Sequence, residues 1–286
     1  MHRILVTGAK GFLGKKACTV FKAKGLEVVE ADLPELDVTR EDRVREFVAA
    51  ARPEAVIHAA ALTDVDGCET ARKRAFKVNV VGTQNVARAC RAVGAKMVFI
   101  STDFVFDGKK RGAYTEADVP RPLNYYAQTK AEGEEAVKRL AGDWVIVRTG
   151  VLYGFNDAGD KTTFAHWALK KLGEGREFRV VDDQFAQPTL VDDLVEGIHR
   201  LLEENAAGVF NLTGSEYLSR LAFVKKVASV FGFKPGQAKP LKTAELKQAA
   251  LRPLKLRTSH AKIRKLGIRM SSVLQGLKEM RRQMNA

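Results

Sequence analysis

"RILVTGAKGFLG", residues 3–14, is an apolar run that breaks into glycine at Gly8, Gly11 and Gly14. The run reads as a buried strand, and Ala17, Val20 and Phe21 behind the glycines have the spacing of a helix that stops near Gly25. A turn joining the two needs positive φ and close backbone approach, which glycine permits without steric cost. The helix start behind it presents unpaired N–H groups and the positive end of its dipole, a cradle for a pyrophosphate. Gly8, Lys10, Gly11, Phe12, Leu13 and Gly14 are the candidate cradle residues. Strand, glycines and helix in this order make a dinucleotide-binding fingerprint.

"EVVEAD" (27–32) is the next strand, and Asp32 at its end lies 18 residues beyond Gly14. A carboxylate there accepts hydrogen bonds from both hydroxyls of an adenosine ribose and repels a 2′-phosphate. Leu33, itself a candidate cofactor contact, and Pro34 supply no cation for such a phosphate. The pattern therefore favours NAD, with NADH the preferred reductant and NADPH the second choice.

Downstream, "TRED" (39–42) has the form of a capping box with Thr39 as N-cap, opening a helix with Val44, Phe47 and Val48 on one face. "EAVIHAAA" (54–61), "KMVFIS" (96–101) and "DWVIVR" (143–148) are further strands, each preceded by a helical stretch. Near-continuous apolar strands alternating with helices predict an α/β, Rossmann-type doubly wound parallel sheet. The expected division is a dinucleotide-binding domain over 1–150, rejoined by about 190–212, and a smaller, discontinuous lobe over 151–286. A Gly/Asp-rich loop, "GFNDAGD" (154–160), marks the change, and the C-terminal part reads as mostly short amphipathic helices.

At 286 residues, 45% hydrophobic and 29% charged, the chain can bury a sizeable core. No apolar run reaches the ~20 residues of a membrane span, and no signal peptide is visible. Cys18, Cys68 and Cys90 show no paired or metal-type spacing, which suits a reducing cytoplasm. The five histidines show no ligand spacing either, no metal is expected, and His58 reads as a core residue. The net charge of +14 sits in the tail: residues 221–286 hold 16 Lys+Arg against two acids, leaving 32 of each sign elsewhere. Such a tail suits an anionic partner, the alternative being a solvated helical face. Nucleic acid is the least favoured partner, because Phe223, Phe231 and Phe233 are scattered and no nucleic-acid module is visible.

"NYYAQTK" (124–130) sets two tyrosines before a lysine. Residues four apart share a helix face, so Tyr126 and Lys130 are neighbours, while Tyr125 is rotated about 100° away. A free phenol ionises near ~10, and an adjacent ammonium, together with the positive nicotinamide of an oxidised cofactor, is expected to lower that value and make Tyr126 usable for proton exchange. A hydroxyl partner belongs at the end of a neighbouring strand, where "ISTDF" (100–104) offers Ser101 and Thr102 on opposite faces. Pattern alone does not choose between them.

With these features in hand, the chain resembles the extended short-chain dehydrogenase/reductases, and more narrowly the dTDP-4-dehydrorhamnose reductases. The matching segments include "TGAKGFLG", "ELDVT" (35–39), "HAAALTDVDGCE" (58–69), "STDFVFDG" (101–108), "YTEADVPRPLNYYAQTK" (114–130), "RTGVLYG" (148–154), "VVDDQFAQPT" (180–189) and "RPLKLRTSHAKIRKLG" (252–267). The resemblance implies a catalytic set of Thr102, Tyr126 and Lys130, with Tyr126 and Lys130 also touching the cofactor. It implies Asp37 and Val38 along the adenine, Ala59, Ala60 and Ala61 along the cofactor channel, and Asn79 behind the site. Thr63, Asp103, Phe104, Gln187 and Arg252 become expected substrate contacts, and Arg148 either anchors the cleft or pairs internally. Part of the basic lobe would receive the diphosphate of a nucleotide-sugar substrate, and a homodimer is expected. The implied reaction is NAD(P)H-dependent reduction of a nucleoside-diphosphate 4-keto-6-deoxysugar.

Three positions depart from the family pattern. Ala127 replaces the glycine that usually follows the tyrosine, which would narrow the site. Gly150 and Val151 stand where the reductases often carry serine and a bulky residue. Two alternatives share the fold: a redox-neutral epimerase or 4,6-dehydratase, and a regulatory subunit like the β subunit of methionine adenosyltransferase. The dehydratase reading lacks half of its usual Asp–Glu pair, because Phe104 follows Asp103.

Overall fold

The computed structural model describes residues 1–156 and 162–285, so the loop expected at 154–160 lies, from residue 157, outside the described residues. The first half runs β1 (Arg3–Thr7), α1 (Phe12–Ala23), β2 (Glu27–Ala31), α2 (Glu41–Ala51), β3 (Ala55–His58), α3 (Val65–Thr70) and α4 (Arg72–Phe76). A π-helical turn, Lys77–Val81, leads into α5 (Gly82–Val93), then β4 (Lys96–Thr102), α6 (Tyr125–Leu140) and β5 (Asp143–Thr149). There follow β6 (Leu152–Tyr153), α7 (Phe164–Gly173), β7 (Phe178–Val181), β8 (Phe185–Ala186), β9 (Thr189–Leu190) and α8 (Val191–Glu203). The chain closes with β10 (Gly208–Asn211), β11 (Leu218–Ser219), α9 (Arg220–Phe231), β12 (Ala238–Leu241), α10 (Ala261–Arg264) and α11 (Val273–Met284).

Six strands form one parallel sheet in the order β2-β1-β3-β4-β5-β10. Alternation along each strand divides its apolar residues between two cores. Ile4, Val6, Ile57, Val98 and Val145 pack with Phe21 of α1 and with Leu194 and Ile198 of α8. Leu5, Val56, Met97, Phe99 and Ile146 face Val44, Val86 and Val137 on α2, α5 and α6. Burial on both faces is why these strands are near-continuously apolar. Phe21 is fully buried, so Phe21→Ala would cost about 3–5 kcal/mol.

The cap expected at Thr39 is not formed. Arg40 is the N-cap of α2, with no side-chain hydrogen bond, and the helix starts at Glu41. The Thr39 N–H donates instead to Asp37 Oδ1 (2.9 Å) and the Arg40 N–H to the Asp37 carbonyl (3.0 Å), an Asp-centred turn that takes the Thr39 N–H a capping box would give to the Asp42 side chain. Helix α6 is capped: Asn124 Oδ1 accepts from the Ala127 N–H (2.9 Å) and Asn124 Nδ2 donates to the Leu251 carbonyl (2.8 Å). That second bond ties the start of the tyrosine helix to the C-terminal part of the chain.

A separate core joins Tyr153, Leu172, Phe223, Val227, Leu277 and Met280 from α7, α9, α11 and their surroundings. Part of the basic tail is answered by acids from earlier in the chain. Lys226 pairs with Glu216 (2.9 Å), Lys239 with Glu177 (3.0 Å), Lys242 with Asp182 (2.9 Å) and Arg252 with Asp66 (2.8 Å).

Candidate active site

The C-terminal ends of β1, β3, β4 and β5 open into one cavity of about 490 Å³. One wall is the glycine turn. Gly8 has φ +69°, and a Cβ on it would stand 2.7 Å from the Ala60 nitrogen. A Cβ on Gly14 would stand 2.8 Å from Ala9 Cα and nearer still to the Gly8 carbonyl oxygen. The turn closes through the Gly11 N–H to the Gly8 carbonyl (3.0 Å). Gly11 caps α1 without any side-chain hydrogen bond, and no acid occupies the first helical turn. Open backbone donors at a positive dipole end fit an anion such as a pyrophosphate.

Asp32 follows β2 directly, its carboxylate accepting from the backbone N–H groups of Lys10 and Leu33 (both 2.8 Å). Lys10 Nζ donates to the Leu33 carbonyl (2.8 Å) and meets Glu35 at 3.2 Å. A cation therefore does stand beside the Asp32 loop, supplied by the glycine turn rather than by residues 33 and 34. Phe12, Leu13, Ala59 and Ala61 line the cavity, while Ala60 backs the glycine turn. Asp37 is spent on its own turn, and Val38 is buried against Gly82. Asn79, fully buried on the π-helical turn, accepts from Leu62 N–H (2.8 Å) and donates to the Leu62 carbonyl (3.1 Å) and Thr129 Oγ1 (3.0 Å). It holds the loop after β3 in place behind the site.

The opposite wall carries Thr102, Tyr126 and Lys130. Tyr126 and Thr102 border the same cavity, and the Thr102 hydroxyl bears on the phenol from the strand end. Thr102 Oγ1 also accepts from the Phe104 N–H (3.2 Å), which fixes its side chain at the strand end. Ser101 also borders the cavity, but its hydroxyl is engaged in donating to Glu134 Oε1 (2.6 Å), which leaves Thr102 as the strand-end hydroxyl beside Tyr126. Tyr125 lies under the Arg72 guanidinium, 5.0 Å from its carbon, outside the cavity wall.

The expected acidification of Tyr126 by Lys130 is not what the protein's own groups produce. Burial pushes the phenol above its ordinary value, the Thr102 hydroxyl draws it down and the Asp103 charge adds to the rise. Burial also lowers Lys130 to about 7, against the opposing pull of Glu134. The Lys130 ammonium rests over the Phe99 ring, 4.1 Å from its centroid. Both groups favour their neutral forms because both have left water.

On the substrate side, Thr63, Asp103 and Phe104 line the cavity. Asp103 is buried, and that burial raises it to about 7, with Thr102 and the positive charge of Arg220 pulling back. Gln187 is not a cavity residue: its Nε2 donates to the Gly214 carbonyl (3.0 Å) and its Oε1 accepts from the Thr258 N–H (2.6 Å). Arg252 is likewise outside the wall, paired through both terminal nitrogens with Asp66. In this structure both side chains bind loops together. Ala127 does not narrow the cavity, because it is buried beside Phe104, Phe106 and Leu256. Gly150 lines the cavity, and a Cβ there would stand 2.7 Å from the Gln187 carbonyl, so serine does not fit this backbone. Arg148 pairs internally, with Glu134.

Sequence reasoning missed Arg220 and Glu134. Only the Glu134 signal was present locally, since it lies four residues after Lys130 on the same helix. Among the described residues no group of His, Cys, Asp and Glu is placed to hold a metal.

The model of the RmlD substrate binding domain family matches residues 1–286. The chain belongs to that family. It is 34% identical over 267 residues to a dTDP-4-keto-6-deoxy-D-glucose reductase of Streptomyces niveus, covering 93% of this chain and 91% of the relative. It is 34% identical over 255 residues to a dTDP-4-dehydrorhamnose reductase of Mycolicibacterium smegmatis, covering 88% and 76%. The crystal structure of dTDP-4-dehydrorhamnose reductase from Bacillus anthracis, in complex with NADP, superposes with a TM-score of 0.94 at 35% identity, over 99% of each chain. RmlD-family membership agrees with the resemblance drawn from the motifs, and the parallel six-stranded sheet is the expected fold class. No helix among the described residues is long and apolar enough to cross a membrane.

Proposed function

We propose that this chain is an NAD(P)H-dependent reductase of nucleoside-diphosphate 4-keto-6-deoxysugars, converting dTDP-4-dehydro-L-rhamnose to dTDP-L-rhamnose. One observation carries the reading: Thr102, Tyr126 and Lys130 share a cavity with the glycine turn. Gly8, Gly11, Gly14 and the start of α1 would hold the pyrophosphate, Asp32 the adenosine ribose and Lys130 the nicotinamide ribose. A bound reduced dinucleotide supplies the hydride that the sugar C4 accepts. Tyr126 gives its proton to the carbonyl oxygen, and Thr102 donates a hydrogen bond to the same oxygen. A phenol kept protonated by burial is poised to give that proton, and the Lys130 ammonium stabilises the phenolate left behind.

Asp32 favours NADH, and Lys10 makes NADPH acceptable. Residues 1–150, with about 190–212, form the dinucleotide side in this reading, and the rest of 151–286 the sugar-nucleotide side. The cytoplasmic assignment rests on three buried cysteines without disulfides. A homodimer is part of the proposal, and sedimentation velocity tests it.

The deciding experiment is a panel of 4-keto sugar nucleotides with NADH and NADPH, followed by loss of reduced-nicotinamide absorbance. The D-gluco keto sugar belongs in the panel, because one relative is named for reducing it. Net consumption of reduced cofactor separates a reductase from an epimerase or dehydratase. No consumption with any member, combined with tight binding to a methionine adenosyltransferase, would move the assignment to a regulatory subunit.

A further inference from the structure

Behind the catalytic wall lies a buried ion pair that the reaction itself does not use. Glu134 and Arg148 have side chains 0% and 2% exposed. Arg148 donates from Nε to Glu134 Oε1 (2.9 Å) and from Nη2 to Oε2 (2.6 Å), and Ser101 Oγ donates to Oε1 (2.6 Å). Each member adjoins a catalytic residue. Ser101 precedes Thr102, Arg148 is its register partner on β5, and Glu134 lies one helical turn after Lys130. The Arg148 guanidinium also stacks 5.0 Å from the Phe106 centroid.

A buried ion pair is weak evidence for stability, since apolar replacements of similar volume often serve as well. What this pair accomplishes is local. A carboxylate four residues from a lysine on one helix face pairs with it by default. Here three donors from β4 and β5 satisfy the carboxylate, and Lys130 instead rests over Phe99 at 4.1 Å. Helix α6 comes close to β4 at that level, where a Cβ on Gly133 would stand 2.7 Å from Phe99 Cζ.

We propose that the Glu134–Arg148 pair is the positioning element of this active site: it fixes α6 to the ends of β4 and β5 and keeps the Glu134 carboxylate from capturing the Lys130 ammonium. The proposal rests on the reductase reading in giving Lys130 a dinucleotide to hold. The titratable and charged groups that bear on Lys130 are Glu134 on α6 and His58 on β3; Tyr126, one turn back on α6, is in turn faced by Asp103 beyond β4 and Cys68 on α3, and Arg148 on β5 meets Glu134. His58 is held neutral by burial, at about 3, so Glu134 is the carboxylate whose field reaches the lysine.

The test is NAD⁺ binding by calorimetry across pH, on the full chain and two variants, with no sugar present. In the unsubstituted protein, affinity falls as pH rises through the Lys130 value of about 7. In Arg148→Met the bared carboxylate holds the proton on Lys130, so the fall moves up by about one pH unit. In Glu134→Gln the carboxylate is gone and the fall moves down. Opposite displacements support the proposal, because a merely structural pair would move neither limb or both the same way. Should Arg148→Met not fold, Arg148→Gln replaces it, because the field of Glu134 alone already accounts for the downward move in Glu134→Gln: an upward move supports the proposal, and an unmoved or downward limb overturns it. Failure of the unsubstituted chain to bind NAD⁺ at any pH would remove the reductase reading and this proposal together; normal binding with unmoved limbs removes only the latter.

Discussion

Tyr126, in the first turn of α6, and Thr102, the last residue of β4, meet on the wall of one cavity. Tyr126→Phe keeps the ring and loses the proton. It should lower turnover by about 10²–10⁴ while NAD⁺ affinity changes little. Thr102→Val should lower turnover through the lost donor to the carbonyl oxygen. Steady-state rates and calorimetry on the same preparations check both. Near-normal turnover in Tyr126→Phe would take the proton away from this residue.

Gly14 is the tightest point of the cradle, so Gly14→Ala must push Gly8 or Ala9 aside. Overpacking of this kind costs about 1–3 kcal/mol, or roughly five- to a hundredfold if it falls on dinucleotide binding. Gly112→Ala is the control, because a Cβ there meets nothing within 4 Å. Equal NAD⁺ affinity in the two variants would show that the turn is not where the pyrophosphate sits.

What the sequence disclosed was set by short-range geometry. The spacing of Tyr126 and Lys130, the glycine turn and the alternation of Ser101 with Thr102 follow from helix and strand periods, and the residues they single out border one cavity. The Thr39 capping box failed because Asp37, two residues back, took the Thr39 N–H. Gln187 and Arg252 pair with Gly214, Thr258 and Asp66, 27, 71 and 186 residues away. No local pattern encodes such pairings. The burial that raises the Tyr126 phenol was equally hidden, since burial is a property of the whole fold rather than of a local spacing.

Lys10 and Asp32 should pull cofactor choice in opposite directions. The ammonium stands against Leu33 and Glu35 beside the Asp32 carboxylate. Lys10→Ala should weaken NADP⁺ by about tenfold, the size of one charge-assisted hydrogen bond, and leave NAD⁺ nearly unchanged. Asp32→Ala should weaken NAD⁺ and spare NADP⁺. Dissociation constants for the two dinucleotides settle the matter, and an equal loss of both in Lys10→Ala would remove the lysine from cofactor selection.

Asp103 should leave a mark on stability as a function of pH. Burial raises its carboxyl from 3.8 to about 7, so the fold favours the protonated form. Its contribution is therefore fully present below the unfolded value and is lost as pH rises through the folded one. The loss is on the order of 4 kcal/mol at most, because Arg220 and Thr102 already soften the burial. Asp103→Asn imitates the protonated acid at every pH and should escape the loss. Urea unfolding of both proteins from about pH 4 to about pH 8 should show the variant gaining on the native chain as pH rises. A difference that stays constant across that range would mean the buried carboxyl does not titrate there, and that its charge is met by a closer cation than Arg220.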